Sequence, residues 1–172
     1  MQKTSTRQLA MSGLVAALYV VLTLALASLS YQGVQFRVSE VLVLLGFIHP
    51  GFIPAVTVGT FIANLVGPFG IIDAIAGAMT TALAMGLIWQ TRKLFGDKLV
   101  SLCVASLWPV ILNALYVPLL IIAIDPTTPW EAFASIAISV AFGEFVVVSI
   151  AGVAIIQVIK NHPSLMHLFK QQ

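Results

Sequence analysis

The chain has 172 residues, of which 60% are hydrophobic and only 8% charged, eight Lys or Arg against six Asp or Glu. A soluble domain carries about 25% charged residues, so this chain cannot coat a water-facing surface, and a soluble globular enzyme is excluded. Its apolar excess excludes disorder, and a mean hydropathy of +1.07 leaves an all-α integral membrane protein with spans of ~20 apolar residues.

The first apolar run follows Lys3 and Arg7 and extends from Leu9 to Leu29. Ala25-Leu26-Ala27 matches a small-x-small cleavage pattern. A signal h-region has only ~7–15 residues, so a retained helix over 8–30 is expected. A polar break from Tyr31 to Phe36 precedes two short apolar runs, 37–49 and 51–66, separated at His49-Pro50-Gly51. Pro50 disfavours helix at His49 and Gly51 adds freedom, which predicts a turn. The spacing then predicts spans over 70–91, 99–124 and 130–159. Pro109 and Pro118 fall inside the fifth, where neighbouring helices can satisfy the freed carbonyls.

Charge decides the count. Six spans with both termini inside place Lys3, Arg7, Arg92, Lys93, Lys98, Lys160 and Lys170 on one side, seven of the eight basic residues. Five spans would split them, so the positive-inside rule favours six. The expected architecture is one domain over 1–172, with helices 2 and 3 short and both termini cytoplasmic. The single cysteine, Cys103, precludes an intrachain disulfide. His49, His162 and His167 form no metal-ligand pattern. A net charge of +2 gives no basis for nucleic-acid binding. No G-x-x-x-x-G-K-[ST] loop is present, so ATP would have to be hydrolysed elsewhere. No bound cofactor is expected.

A charge at mid-bilayer costs roughly 2.5–3.5 kcal/mol on insertion scales, so intramembrane polar residues need a reason. Arg37 and Glu40 are three apart and can pair on one helix face, or one of them can meet a ligand. Asp73 can cap its helix or serve a site. Asn64 can bond between helices. Glu144 sits mid-span with no Lys or Arg within a turn or two, which marks a ligand or proton site. Asn113 and Tyr116 share a face, with Trp108 a turn deeper; an amide beside an aromatic suits a planar ring, though both aromatics can be packing residues. Tyr31, Gln32 and Gln35 project to the same outer zone. Three carboxylates against one Arg leave that zone formally negative, which a cationic or donor-rich ligand, or protonation, would relieve.

In the first span, Ala10, Ser12, Gly13, Ala16 and Ala17 give a small-xxx-small face, which allows close backbone approach within the bundle or onto a partner.

Together these features resemble substrate-binding S components of energy-coupling factor (ECF) transporters. The segments ALYVVLT at Ala17–Thr23, QFRVSEVLVLL at Gln35–Leu45 and GPFGIIDAIAGAMTT at Gly67–Thr81 resemble the QueT family in particular. Gly13 departs from the Ala common there, a small-for-small change. The resemblance implies a multi-pass protein of a prokaryotic plasma membrane that captures a queuosine precursor, a deazaguanine base, from outside. It implies docking through Ala10, Gly13, Ala16 and Ala17 onto a membrane scaffold (T) subunit that carries two cytoplasmic ATPases. Glu144 or Glu40 could then accept the base's donor edge, with Asp73 or the other Glu as a second acid. Asn113 could read the ring carbonyl, and Tyr116 or Trp108 could stack on the base. Arg37, Asn64 and Gln35 complete the expected pocket.

Two other readings remain open at this point: an S component for another small vitamin, and a stand-alone oligomeric transporter with Glu144 as proton relay. An intramembrane enzyme lacks a nucleophile–base set.

Overall fold

The computed structural model describes residues 6–27 and 36–170, and the described residues are helical apart from short connections. Among the described residues, four helices are long and apolar enough to cross a membrane: α1 (Thr6–Ala25), α4 (Gly70–Phe95), α5 (Leu99–Ile124) and α6 (Trp130–Asn161). Two shorter apolar helices, α2 (Val38–Ile48) and α3 (Phe52–Val66), lie between α1 and α4. A seventh, α7 (Pro163–Lys170), follows the last span. Such a fold leaves large apolar side chains exposed, among them Leu14, Val66, Met79, Val100 and Ile138. In lipid these faces are solvated, while helical hydrogen bonds satisfy the backbone internally.

Three helices depart from the expected spans or from regular α geometry. Helix α4 runs past Arg92 and Lys93 to Phe95. The cations sit in its last turn, where the helix dipole favours them. Helix α2 is mostly 3-10, over Val38–Leu44, and becomes α-helical only at Leu45–Ile48. The 3-10 repeat puts i and i+3 in line, so Arg37, Glu40 and Val43 stack along one edge. Its steeper rise gives these eleven residues about 20 Å of length, close to the ~22 Å of α3 and short of a ~30 Å hydrocarbon core. Helix α6 widens into a π-helical stretch at Phe145–Gly152, directly after Glu144. Its Ser149 hydroxyl accepts a bond from Ser106 of α5 (3.0 Å).

The apolar core fills one half of the bundle. Phe47, Phe52, Val56, Met85, Ile88, Leu102, Val148 and Ile156 are buried there. Phe169 of α7 closes its end against Phe52, with ring centroids 5.6 Å apart. Helices α1 and α3 cross closely at Gly59, where an added Cβ would stand 2.9 Å from the Ala16 carbonyl oxygen and from Tyr19 Cβ. Only glycine lets the two backbones approach this far.

The same half ends in a charged clasp. Arg92 donates through Nη1 to the carbonyls of Phe47 and Ile48, the last turn of α2. Its Nη2 pairs with Asp97 (3.3 Å), and Lys160 Nζ lies 2.6 Å from the other Asp97 oxygen. The α4–α5 loop thus ties α2 to α6. At the opposite end, Asp125 closes the α5–α6 loop by accepting from the Thr127 amide and hydroxyl and the Thr128 hydroxyl. Those bonds hold its carboxyl below the usual range.

Candidate functional site

Seven of the polar residues singled out from sequence meet in the half of the bundle opposite the clasp. Helix α3 ends at Val66, the Gly67–Phe69 turn follows, and α4 begins at Gly70. This hairpin puts Asn64 and Asp73 side by side. Asn64 Nδ2 donates to Asp73 Oδ1 (3.1 Å) and to its carbonyl (3.3 Å). Tyr116 of α5 donates its hydroxyl to the same Oδ1 (2.7 Å). Asp73 makes no side-chain cap bond at the start of α4, so the capping alternative gives way to an interhelical role.

Gly77, one turn on from Asp73, forms the floor beneath them. A Cβ there would lie 2.4 Å from Asn64 Nδ2 and 3.0 Å from Asp73 Oδ1. The close approach of three polar side chains therefore requires glycine at this position.

A second group sits beside the first. Asn113 of α5 donates to Glu144 Oε1 of α6 (3.0 Å). Asn113 and Tyr116 are three residues apart, so both lie on one face of α5, about 4.5 Å apart along its axis. They fall between Pro109 and Pro118, whose missing N–H groups free the carbonyls of Ala105 and Ala114.

The third group is the ion pair. Arg37 Nη1 stands 3.8 Å from Glu40 Oε1. Glu40 also accepts the Tyr19 hydroxyl of α1 (2.5 Å). Thr23, one turn further along α1, shares a 2.6 Å hydrogen bond with Ser39. Glu40, Asp73 and Glu144 all lie within electrostatic reach of the Arg37 guanidinium. All three carboxylates are buried, at 2%, 2% and 4% exposure, which separates this cluster from a solvated charged face.

Two buried acceptor atoms in the cluster have no hydrogen-bond partner among the described residues: Glu144 Oε2 and Asn64 Oδ1. An unpaired buried acceptor costs about 1–3 kcal/mol, and such atoms in a fold otherwise well satisfied point to a missing donor. No three His, Cys, Asp or Glu side chains among the described residues gather closely enough to hold a metal ion. The donor wanted here is an N–H or O–H group.

Other expected residues lie elsewhere. Trp108 Nε1 donates to Thr91 Oγ1 of α4 (2.9 Å), and the indole lines a shallow apolar groove with Leu87, Leu94 and Phe95. It sits toward the clasp and not with Tyr116. Gln35, Tyr31 and Gln32 lie outside the described residues. On α1 the small-residue face divides. Ala16 is used inside the bundle against Gly59, whereas Ala10, Gly13 and Ala17 are exposed and nothing approaches the Cβ position of Gly13.

Tyr19 and Gly77 belong to the site and were missed from sequence. Tyr19 is a phenol in an apolar helix, which needs a partner once buried, and that was the signal available. Gly77 carried none beyond lying one turn from Asp73.

Comparison with known proteins bears on the family of the chain. A family described as QueT transporter matches residues 9–161. A curated relative, the queuosine precursor transporter QueT of Lactococcus lactis subsp. cremoris (strain MG1363), is 39% identical over 89 residues. That alignment covers 51% of this chain and 52% of the relative, so the chain spans about half the length of the curated relative it matches. No solved structure matches significantly. With a family match over most of its length and helices of membrane-spanning length, this multi-pass membrane protein belongs to the QueT transporter family.

Proposed function

We propose that this chain is the substrate-binding S component of an ECF-type importer, capturing a queuosine precursor at the outer face of a prokaryotic plasma membrane. The observation that carries the reading is Glu144, a buried carboxylate with one oxygen on Asn113 and the other unpartnered. A deazaguanine offers adjacent N–H donors on its pyrimidine edge, and a carboxylate accepts such a pair in bidentate fashion. Asn113 keeps a carbonyl oxygen for a further donor, and Tyr116 presents a ring beside the base. Family membership supports a queuosine precursor as the ligand.

The orientation follows from the basic end. Arg92, Lys93, Lys98 and Lys160 gather at the clasp end, and the positive-inside rule makes that end cytoplasmic. The acidic cluster then faces outward. Exposure of Ala10, Gly13 and Ala17 supports α1 as the docking face for a membrane scaffold subunit. Energy would come from two ATPases bound to that scaffold. Proteoliposomes test the assignment. Uptake of a deazaguanine should require the scaffold, both ATPases and internal ATP. Uptake by this chain alone, driven by a proton gradient, would overturn the S-component role and favour Glu144 as a relay.

A further inference from the structure

We infer that the site takes its ligand as a cation, with Asp73 and Asn64 holding a protonated amine while Glu144 holds the donor edge of the base. The inference deepens the proposed function and rests on it.

Two independent observations support it. The first is charge. Glu40, Asp73 and Glu144 are buried around the single guanidinium of Arg37, and that Arg stands closest to Glu40. Glu40 is further served by the Tyr19 hydroxyl. Among the described residues, the other two acids are hydrogen-bonded only by neutral donors: Tyr116 and Asn64 on Asp73, Asn113 on Glu144. One guanidinium shared among three buried carboxylates leaves a net negative charge that is costly to bury, and a ligand cation offsets it.

The second observation is which atoms are left over. Both side-chain bonds to Asp73 land on Oδ1, leaving Oδ2. Asn64 spends its amide nitrogen on Asp73 and keeps a buried, unpartnered Oδ1. An ammonium offers three donors and no acceptor, which matches two neighbouring acceptor oxygens. A nitrile offers only an acceptor and would meet those oxygens lone pair to lone pair. Glu144 Oε2 is left over at the second group, whose Asn113 lies three residues from Tyr116 on α5. A flat bicyclic base with an amine-bearing arm can reach both.

The test compares three ligands on the purified full chain near pH 7: aminomethyl-, cyano- and methyl-deazaguanine. The methyl compound controls for size without charge. The aminomethyl compound should bind at least about tenfold tighter than either neutral one. In Asp73→Asn the three should approach parity, through loss of aminomethyl affinity alone. Equal affinity for all three in the unaltered protein would overturn the inference and leave the deazaguanine reading standing. Binding of none would overturn that reading and the inference with it.

Discussion

The two ends of the bundle both bring acids and cations together, but they balance them differently. At the clasp, Asp97 has two cations, Arg92 and Lys160, and is 40% exposed. Arg92 spends its remaining donors on the carbonyls of Phe47 and Ile48. Arg92 and Lys160 also lie over the Phe47 ring. Arg92, Asp97 and Lys160 each have a partner, and large apolar side chains pack behind them. At the acidic end three buried carboxylates share one guanidinium, the neighbours are small (Ala63, Ala74, Gly77), and two acceptors are unpartnered. A satisfied network holds structure, whereas a half-satisfied one gives up stability that a ligand can restore.

Substitutions can break this contrast. The largest effect is expected from Gly77→Ala. Its methyl would drive Asn64 off Asp73, and overpacking of this kind costs roughly 1–3 kcal/mol. Ligand affinity measured by titration calorimetry should fall at least about tenfold. Retained affinity would show that the Asn64–Asp73 pair plays no part in binding.

Arg92→Ala should do the reverse. It removes charged hydrogen bonds of about 1.5–3 kcal/mol each in the buried limit, discounted for partial exposure. The melting temperature should drop by several degrees while affinity stays within about twofold. Trp108→Phe is milder. It deletes the bond to Thr91, about 1 kcal/mol, and should leave ligand affinity unchanged. A large affinity loss would return Trp108 to the pocket.

Asp125→Asn should have the smallest effect. The carboxyl is held below its unfolded value by Thr127 and Thr128. Its contribution is therefore present above the unfolded pKa and is lost as pH falls through the lower folded value. Because Asp125 is fully solvent-exposed, the melting difference between variant and parent should be slight at neutral pH and vanish in acid. A difference that grew in acid would contradict the assigned bonds.

Local features were legible in the sequence, and register between helices was not. Runs of apolar residues announce six helices because burial in lipid is decided span by span. The Arg37–Glu40 pair was legible because partners three apart face each other on any helix. Asn64 meeting Asp73 depends on how the Gly67–Phe69 turn folds the α3–α4 hairpin. Tyr116 reaching Asp73, and Trp108 reaching Thr91, depend on how α5 is rotated against α4. In the sequence, Ala16 belongs to one continuous small-residue face. The glycine that claims it, Gly59, lies 43 residues away in sequence (59 − 16 = 43). The π-helical stretch after Glu144 has no periodic signature in a uniformly apolar segment.

The most direct measurement is ligand affinity and unliganded melting temperature in Glu144→Gln beside the parent chain. The amide preserves shape and relieves a buried carboxylate whose Oε2 has no partner. Deazaguanine affinity should fall at least about tenfold, while the unliganded variant melts no lower than the parent. Unchanged affinity would contradict the placement of the ligand at Glu144. Lowered melting with unchanged affinity would make that carboxylate a structural element.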